Sequence, residues 1–449
     1  MNQPNGKRLN RRRFLGCAAA AATGAVAAPC VITSTALGAE GRPPASERVV
    51  IGYLGTGPRG RLNIREELSC PEAQVVAVCD VWKHARDQGK ATVDKHYKNT
   101  DCKAYVDFRE IIARDDIDAV GIGSPDHWHV PMTVAAVKAG KDVSVEKPLG
   151  VSLREDQICR EAVKRYDRVF QYGTEARARP ACRLGAELVR NGRIGEIKEI
   201  RVKSPNSHGS GPRATKPVPK ELDYDLWLGP APWRPYSGCP DNGGSWFHVY
   251  DYALGFIAGW GAHPLDLLVW SYDTHLAGAW EVEGTGVIPQ GCNDAVNNWD
   301  VTIQFGNGVK MNYWAHGIKK EEHPRLAKLG NYAQLIGTEG WIAIYYASMD
   351  CEPKSLRDAP LGPNDIRLPV SRGQERNFIE CVRTRQTPVS NIDDAVHSDL
   401  ISHICDIAIR SGRKIRWDPI KEQIIGDAEA SRRLTRAMRE PWRLQPRKP

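Results

Sequence analysis

The segment "VVIGYLGTGPRGRLNIREEL" at 49–68 contains an apolar run, a glycine-rich turn and then a pattern typical of a helix. The turn has the spacing GxGxxG, with Gly55, Gly57 and Gly60 at its three glycine positions. Glycine permits a tight turn and a close approach of the backbone to a pyrophosphate, which the free N–H groups at a helix start bind. A second apolar run, "AQVVAVCD", ends at Asp80. This order of strand, turn, helix and strand predicts a dinucleotide-binding βαβ unit.

Asp80 indicates which dinucleotide is bound. A carboxylate at the end of the second strand accepts hydrogen bonds from both ribose hydroxyls and repels a 2′-phosphate. The sequence therefore favours NAD over NADP, although Lys83 and Arg86 weaken that preference. The loop residues expected to contact the cofactor are Gly55, Thr56, Gly57, Arg59 and Gly60.

Alternating strands and helices continue through "IDAVGIGSPDHWHVPMTVAAVKAGKDVSVEKP" at 117–148. The predicted fold class is α/β, beginning with a doubly wound parallel Rossmann sheet. Ligands of such sheets bind beyond the carboxyl ends of the strands. We therefore expect a second set of cofactor contacts from Ser124, Pro125, His127, His129, Glu146 and Lys147. His127 and His129 have no third ligand nearby in the sequence, so we predict no metal site there.

The glycine loop, "SPDHWH" at 124–129 and above all "EKP" at 146–148 resemble the Gfo/Idh/MocA family, the glucose-fructose oxidoreductase and inositol dehydrogenase group. The likeness covers nearly everything after residue 40. It implies a Rossmann domain at 46–168 and a C-terminal α/β domain at 169–449 with an open, mostly antiparallel sheet. Helices near 372–412 are expected to pack back on the first domain. The likeness also implies a homo-oligomer.

The resemblance places Lys147 between nicotinamide and substrate, and Glu146 on the nicotinamide side. Oxidation of a carbinol carbon requires loss of the hydroxyl proton, so a cationic or proton-sharing group must lie at that oxygen. We predict that Lys147 is this group, and that the proline after it directs the lysine. A solvated surface lysine is the alternative.

His263, in "GAHPLDLLVW" at 261–270, matches the family's second acid–base residue. The family often has an aspartate four residues earlier, where this chain has Gly259. Either His263 acts alone, or Asp251 or Asp266 compensates; Asp266 shares the helical face of His263. A structural role for His263 stays open.

Two further features concern the substrate. Arg177 follows the crossover between domains, where it either contacts substrate hydroxyls or belongs to a basic surface. The stretch 204–252 is a long insertion rich in proline, glycine and aromatic residues. Its aromatic rings either stack on a sugar or hold the loops together. Lys147, Arg177, Asp266 and His263 form the predicted substrate-binding set.

The N-terminal segment, "LNRRRFLGCAAAAATGAVAAP", places paired arginines before a weakly apolar, alanine-rich stretch. This pattern predicts a twin-arginine signal at 1–39, and hence transport by the twin-arginine machinery into the periplasm. A basic, disordered arm is the alternative. The stretch is too short and interrupted for stable membrane insertion. Five of the eight excess positive charges lie before the first acidic residue, Glu40, so the remainder gives little support for nucleic-acid binding.

The chain has twelve cysteines, of which Cys17 and Cys30 fall in the predicted signal. The others show no paired CxxC spacing. An oxidising compartment permits disulfides, but Cys79 and Cys405 lie in apolar patterns and are expected to be buried free thiols.

Three functions remain compatible with the sequence. The first is an exported NAD(P)-dependent oxidoreductase that acts on a sugar, polyol or sugar derivative with a tightly bound nicotinamide. The second is an NAD-dependent glycosidase or lyase that oxidises its substrate only transiently. The third is a non-enzymatic binding protein on the same fold, suggested only by Gly259.

Overall fold

A computed structural model describes residues 37–38, 41–238 and 245–444. Residues 49–449 belong to one unit, and its described residues contain both sheets described below. The predicted signal at 1–39 falls outside the described residues except for 37–38. Within the described part, none of the helices combines the length and apolar character of a membrane span.

Six parallel strands form the first sheet, in the order β3-β2-β1-β4-β5-β6. Their bounds are β1 Val49–Leu54, β2 Ala73–Cys79, β3 Lys103–Tyr105, β4 Ala119–Ile122, β5 Asp142–Val145 and β6 Phe170–Tyr172. Every residue of β1 and β4 is buried, as expected for central strands covered on both faces. Because β6 pairs with β5, the first sheet extends past the predicted domain boundary at 168.

Five helices accompany this sheet: α1 Pro58–Leu68, α2 Lys83–Tyr97, α3 Phe108–Ile112, α4 Asp126–Lys138 and α5 Leu153–Tyr166. The sequence specifies several of their ends. Pro58 occupies the first turn of α1, where its missing N–H leaves no helical hydrogen bond unmade. Ser152 caps α5 by accepting a hydrogen bond from the Glu155 N–H.

The second sheet has nine strands in the order β13-β12-β11-β7-β10-β9-β8-β14-β15. Their bounds are β7 Ile197–Ser204, β8 Trp280–Val287, β9 Asn297–Phe305, β10 Lys310–Ala315, β11 Tyr332–Gly337, β12 Trp341–Tyr345, β13 Ser348–Glu352, β14 Ile415–Asp418 and β15 Gln423–Ile424. All neighbouring pairs are antiparallel except β7 and β10. The predicted fold class, a Rossmann sheet followed by an α/β domain with a mostly antiparallel sheet, is confirmed.

The remaining helices are α6 Pro180–Arg190, α7 Tyr224–Leu228, α8 Phe256–Gly259, α9 Ala262–Ser271, α10 Pro324–Ala327, α11 Gln374–Thr384, α12 Ile392–Ser411 and α13 Ala428–Arg432. From the predicted returning region, α11 packs on α1 and β1 of the first domain. The long α12 contacts α5 of the first domain, and α9 and β8 of the second. The second domain is therefore held against the Rossmann sheet by its own C-terminal helices.

The insertion 204–252 packs onto the first domain at the turn after β2. The Lys83 N–H donates to the Glu221 carbonyl over 2.9 Å, and Trp82 forms a β-bridge with Leu222. Behind this contact lies a small apolar cluster that includes Leu222, Trp227 and Tyr236. The insertion thus lies beside the carboxyl ends of the Rossmann strands. The cysteines of the described residues are all free thiols, including the buried Cys79 and Cys405.

Candidate active site

The three glycines of the loop have different structural tasks. Gly55 has φ +89°, and a Cβ there would lie 2.5 Å from the Ser124 nitrogen. A Cβ at Gly60 would lie 2.1 Å from the Gly55 carbonyl oxygen, so any larger residue would push α1 off the loop. Gly57 has nothing within 4 Å of the position a Cβ would take. Gly55 and Gly60 therefore allow tight packing, while Gly57 leaves the loop open to a ligand.

A cavity of about 460 Å³ lies in front of this loop. The first domain lines it with predicted residues, namely Gly55, Gly57, Arg59, Asp80, Ser124 and Pro125. The second domain contributes Leu226, Trp227, Trp246 and Phe247 from the insertion. Open glycine backbone, the start of α1 and a surrounding aromatic wall fit a dinucleotide. Trp246 and Phe247 thus line the cofactor cavity, whereas Tyr236 is packed in the apolar cluster and Trp233 is 67% exposed.

Asp80 shapes the loop as well as facing the cavity. One carboxylate oxygen accepts a hydrogen bond from the Thr56 N–H at 2.8 Å, and the other accepts from the Trp82 N–H at 2.9 Å. Burial raises the pKa of Asp80, and these backbone donors oppose the rise. Thr56 is itself buried, and its hydroxyl also donates to Asp80, at 3.3 Å.

Sequence reasoning missed Arg61 and His84, which also line the cavity. Arg61 donates to the Thr56 carbonyl at 2.6 Å. Lys83, expected to weaken the preference for NAD, instead forms an exposed pair with Asp87. The sequence feature that could have identified Arg61 is its position directly after the last glycine of the loop.

Lys147 extends from the end of β5 to the second domain. Its Nζ donates a hydrogen bond to the Gly259 carbonyl at 2.8 Å and lies 5.8 Å from the centre of the Trp260 ring. The peptide bond between Lys147 and Pro148 is cis. The residue at the position of the missing family aspartate therefore still contacts the lysine, through its backbone.

Glu146 is buried and held by two donors. It accepts from Arg59 Nε at 2.6 Å and from Asn63 Nδ2 at 2.8 Å. Arg59 also pairs with Glu175, and the two carboxylates raise the pKa of its guanidinium against the opposing effect of burial. Asn63 lies on α1 and was missed because a lone helical asparagine carries no sequence signal. This network links the glycine loop to the EKP turn.

His263 is a buried imidazole beside this network, on α9. Burial, assisted by the charge on Lys147, lowers the pKa of His263 to about 3. Its Nδ1 has no hydrogen-bond partner among the described residues. The rings of Trp260 and Tyr346 lie 5.6 Å and 5.5 Å away. His263 is therefore neutral at physiological pH, with an Nδ1 that has room for a hydrogen-bond partner beyond the described residues.

Asp126, the first residue of α4, is an acid that sequence reasoning missed. Its carboxylate is buried, and neither oxygen has a hydrogen-bond partner among the described residues. Burial raises the pKa of Asp126 well above its ordinary value, and the Lys147 charge opposes that rise. Asp251, considered as a replacement for the missing aspartate, pairs with Arg234 at 3.2 Å and lines a different cavity. Asp126 is thus the acid next to Lys147 with unused hydrogen-bonding capacity.

Arg177 and Asp266 lie in a buried ion pair, which does not support their predicted contact with substrate. Arg177 Nε and Nη2 donate to the two Asp266 oxygens at 2.9 and 2.8 Å. Arg177 also donates to Asp394, at the start of α12, at 2.7 Å. Both side chains are almost completely buried. Their hydrogen-bonding groups are occupied by one another, so the pair joins α9 to α12.

The two histidines of "SPDHWH", predicted to contact the cofactor, are not among the residues that line the cavity. His127 Nε2 lies 3.0 Å from the Trp227 carbonyl, and its ring lines a second cavity. His129 lies between two carbonyls, with Nδ1 2.7 Å from Pro148 O and Nε2 2.8 Å from Ser124 O. His129 therefore fixes the EKP turn to the loop after β4. The alternating sequence spacing could not distinguish this bridging role from a ligand contact.

Two family models match the chain. "Oxidoreductase family, NAD-binding Rossmann fold" matches residues 48–174, and "Oxidoreductase family, C-terminal alpha/beta domain" matches residues 206–444. Both models belong to the Gfo/Idh/MocA group.

Among curated relatives, a glycosyl hydrolase family 109 protein of Shewanella baltica is 29% identical over 164 residues, which cover 33% of this chain and 35% of the relative. The match to such relatives therefore spans about a third of their length.

Solved structures share the fold. The scyllo-inositol dehydrogenase of Lactobacillus casei, solved with NAD(H) and scyllo-inositol, has 18% identity and a TM-score of 0.56, covering 82% of this chain and 99% of that one. The aldose-aldose oxidoreductase of Caulobacter crescentus, complexed with glycerol, has 18% identity and a TM-score of 0.58 over the same shares. With both of its domains matched, the chain belongs to the Gfo/Idh/MocA oxidoreductase family.

Proposed function

We propose that this chain is an exported, NAD-dependent oxidoreductase that acts on a sugar, polyol or sugar derivative and retains its nicotinamide cofactor between turnovers. The observations that carry this proposal are the cavity at the glycine loop, which fits a dinucleotide, and Lys147 at the end of β5, whose charge acts on His263 and on Asp126, an acid without a hydrogen-bond partner among the described residues. The bound nicotinamide supplies the hydride acceptor.

The protein residues handle the proton that leaves with the hydride. Lys147, directed by its hydrogen bond to the Gly259 carbonyl, is positioned to hold the substrate oxygen as its hydroxyl proton is lost. The neutral His263 offers Nδ1, which can accept a hydrogen bond from the substrate hydroxyl. Glu146 does not take the proton, because Arg59 and Asn63 already stabilise its carboxylate.

Retention of the cofactor is supported by the insertion. Trp227, Trp246 and Phe247 cover the cavity from the second domain, so a dinucleotide would be enclosed by both domains. Retention also suits export, because no free NAD pool exists outside the cytoplasm. Asp80, at the end of β2, favours NAD over NADP.

A redox-neutral glycosidase is the second candidate, favoured by the match to the family 109 glycosyl hydrolase. In this case a sugar hydroxyl is oxidised to a ketone, which acidifies the neighbouring C–H. The glycosidic substituent then leaves as the C–H proton is removed, water adds, and the hydride returns to the sugar. The cofactor finishes in the state in which it began.

One experiment separates these functions. The purified full chain is denatured to quantify released NAD(H) and NADP(H), and the native protein is mixed with sugars and glycosides without free cofactor. Absorbance near 340 nm that rises with one sugar and falls with a second acceptor supports the oxidoreductase. Release of free sugar from a glycoside with no lasting absorbance change supports the glycosidase. Absence of bound dinucleotide, with none taken up on addition, would contradict both and leave a binding protein.

A further inference from the structure

Three ionisable side chains meet in the buried contact between α5 and α12, outside the cofactor cavity. They are Asp156 on α5 and Asp399 and His403 on α12, here called the α5–α12 cluster. One ligand-type atom from each residue lies within 4.8 Å of the others. Asp399 and His403 are four residues apart, which places them on one face of the helix.

The cluster has unused hydrogen-bonding capacity. Both oxygens of Asp156 and Nε2 of His403 have no hydrogen-bond partner among the described residues. The two residues are close, with His403 Nε2 3.1 Å from Asp156 Oδ2, but the contact lacks hydrogen-bond geometry. Each side chain is at least nine-tenths buried. Buried polar atoms normally find a partner, so the three atoms point to a missing ligand.

A third buried carboxylate lies beside the cluster. Glu155 is adjacent in sequence to Asp156, and its Oε2 has no partner among the described residues. The charges of Arg160 and Arg436 act on these groups, but the two side chains donate hydrogen bonds elsewhere, Arg160 to Glu422 and Arg436 to the Tyr250 carbonyl. Buried carboxylates without a paired cation are costly unless they bind a proton or a metal ion.

We propose that the α5–α12 cluster binds one divalent transition-metal ion, with Zn²⁺ as its leading occupant, through Asp156, Asp399 and His403. A set of carboxylates and one imidazole suits Zn²⁺, whose ligand distances of about 2.0–2.2 Å would require the three donor atoms, which lie within 4.8 Å of one another, to close around the ion. Glu155 provides an entry route, because it also lines a cavity of about 400 Å³.

An ion in the cluster would connect two parts of the fold, whatever reaction the protein catalyses. Asp399 accepts hydrogen bonds from the Tyr172 hydroxyl and from the Leu149 N–H. Leu149 follows the EKP turn, and Tyr172 ends the first sheet. An ion here would join the first domain to α12. The donors on Tyr172 and Leu149 would hold Asp399 in place behind the ion, as hydrogen-bond partners of a metal ligand do.

The test uses the full chain, purified without immobilised metal and stripped with a chelator. Zn²⁺ is then titrated while bound metal is measured by mass spectrometry and thermal unfolding is followed. We expect one Zn²⁺ per chain and a melting temperature that rises with Zn²⁺. Co²⁺ in place of Zn²⁺ should give visible absorption bands.

Two variants locate the ion. His403→Gln and Asp399→Asn should each weaken Zn²⁺ binding at least about tenfold, whereas His397→Gln, on the same helix but stacked on His275, should bind like the parent. No bound Zn²⁺ and no thermal shift in the unmodified chain would overturn the proposal, as would full affinity in a folded His403→Gln variant. If both variants fail to fold, the metal content and thermal shift of the unmodified chain decide.

Discussion

Lys147 and His263 on one side, and Arg177 and Asp266 on the other, were all predicted to meet the substrate, but the hydrogen-bonding capacity of the two pairs' surroundings is used differently. Around Lys147, the Nδ1 of His263 and both oxygens of Asp126 have no partner among the described residues. In the Arg177–Asp266 pair, two parallel hydrogen bonds and a contact to Asp394 occupy the charged groups. Unused capacity is what a reacting substrate requires, whereas a paired ion stabilises the fold. Burial alone does not distinguish them, because His263, Asp126, Arg177 and Asp266 are all buried.

The largest expected effect on activity comes from Lys147→Ala. If Lys147 holds the substrate oxygen as proposed, its loss should lower kcat by about 10²–10⁴-fold with any sugar that reduces the bound cofactor. Bound dinucleotide, quantified after denaturation, should be unchanged. Lys198→Ala removes an exposed lysine paired with Glu196 and should keep full activity. Turnover retained in Lys147→Ala would remove the lysine from the reaction.

Asp266→Ala should act on stability instead. It leaves the buried Arg177 with only part of its ion pairing, which is expected to reduce the free energy of unfolding by roughly 3–5 kcal/mol. The midpoint of guanidinium unfolding measures this. Asp87→Ala, which breaks the exposed pair with Lys83, is the control and should leave the midpoint unchanged. A variant with parental stability but a raised KM would restore the original prediction that Asp266 contacts substrate.

The variant His263→Gln tests whether His263, beside Lys147, is a neutral imidazole in the folded protein. The unfolded chain binds a proton at this histidine below pH about 6.5, whereas the folded chain does so only near pH 3. The contribution of His263 to stability is therefore present above pH 6.5 and lost as the pH falls. Between about pH 6 and 4 the parent should lose about 1.4 kcal/mol per pH unit more than the variant.

Other buried histidines, such as His127, titrate in both proteins and cancel in this comparison. Unfolding midpoints measured at several pH values provide the two curves. Parallel curves for parent and variant would show that His263 has an ordinary pKa when folded.

The sequence predicted those parts of the site that depend on local backbone geometry. The glycine loop, the end of β2 and the EKP turn each follow a strand of the first sheet, and the alternation of strands and helices locates such positions. The same reasoning predicted cofactor contacts from Ser124 and Pro125, and both residues line the cavity.

For other residues, the surroundings in the structure depend on contacts with residues that are distant in the chain. His129 lies in the first turn of α4, five residues after Ser124, where its two ring nitrogens bridge the carbonyls of Pro148 and Ser124. Arg177 and Asp266 are 89 positions apart in the chain, so no local pattern announces their pairing. Asp126 was visible in "SPDHWH", but that it lacks a partner could be seen only in three dimensions.

The smallest expected effect concerns the aromatic side chains of the insertion that line the cofactor cavity. Trp246 lines the cofactor cavity and stacks on Phe247 with ring centres 3.7 Å apart. Because these rings come from the second domain, they should slow departure of a dinucleotide held by the first. Trp246→Ala is expected to increase cofactor dissociation about tenfold, since an aromatic contact contributes about 0.5–1.5 kcal/mol. Trp233→Ala, an exposed tryptophan of the same insertion, is the control. Loss of bound cofactor during dialysis measures the rate, and equal rates in both variants would mean that the Rossmann domain alone retains the dinucleotide.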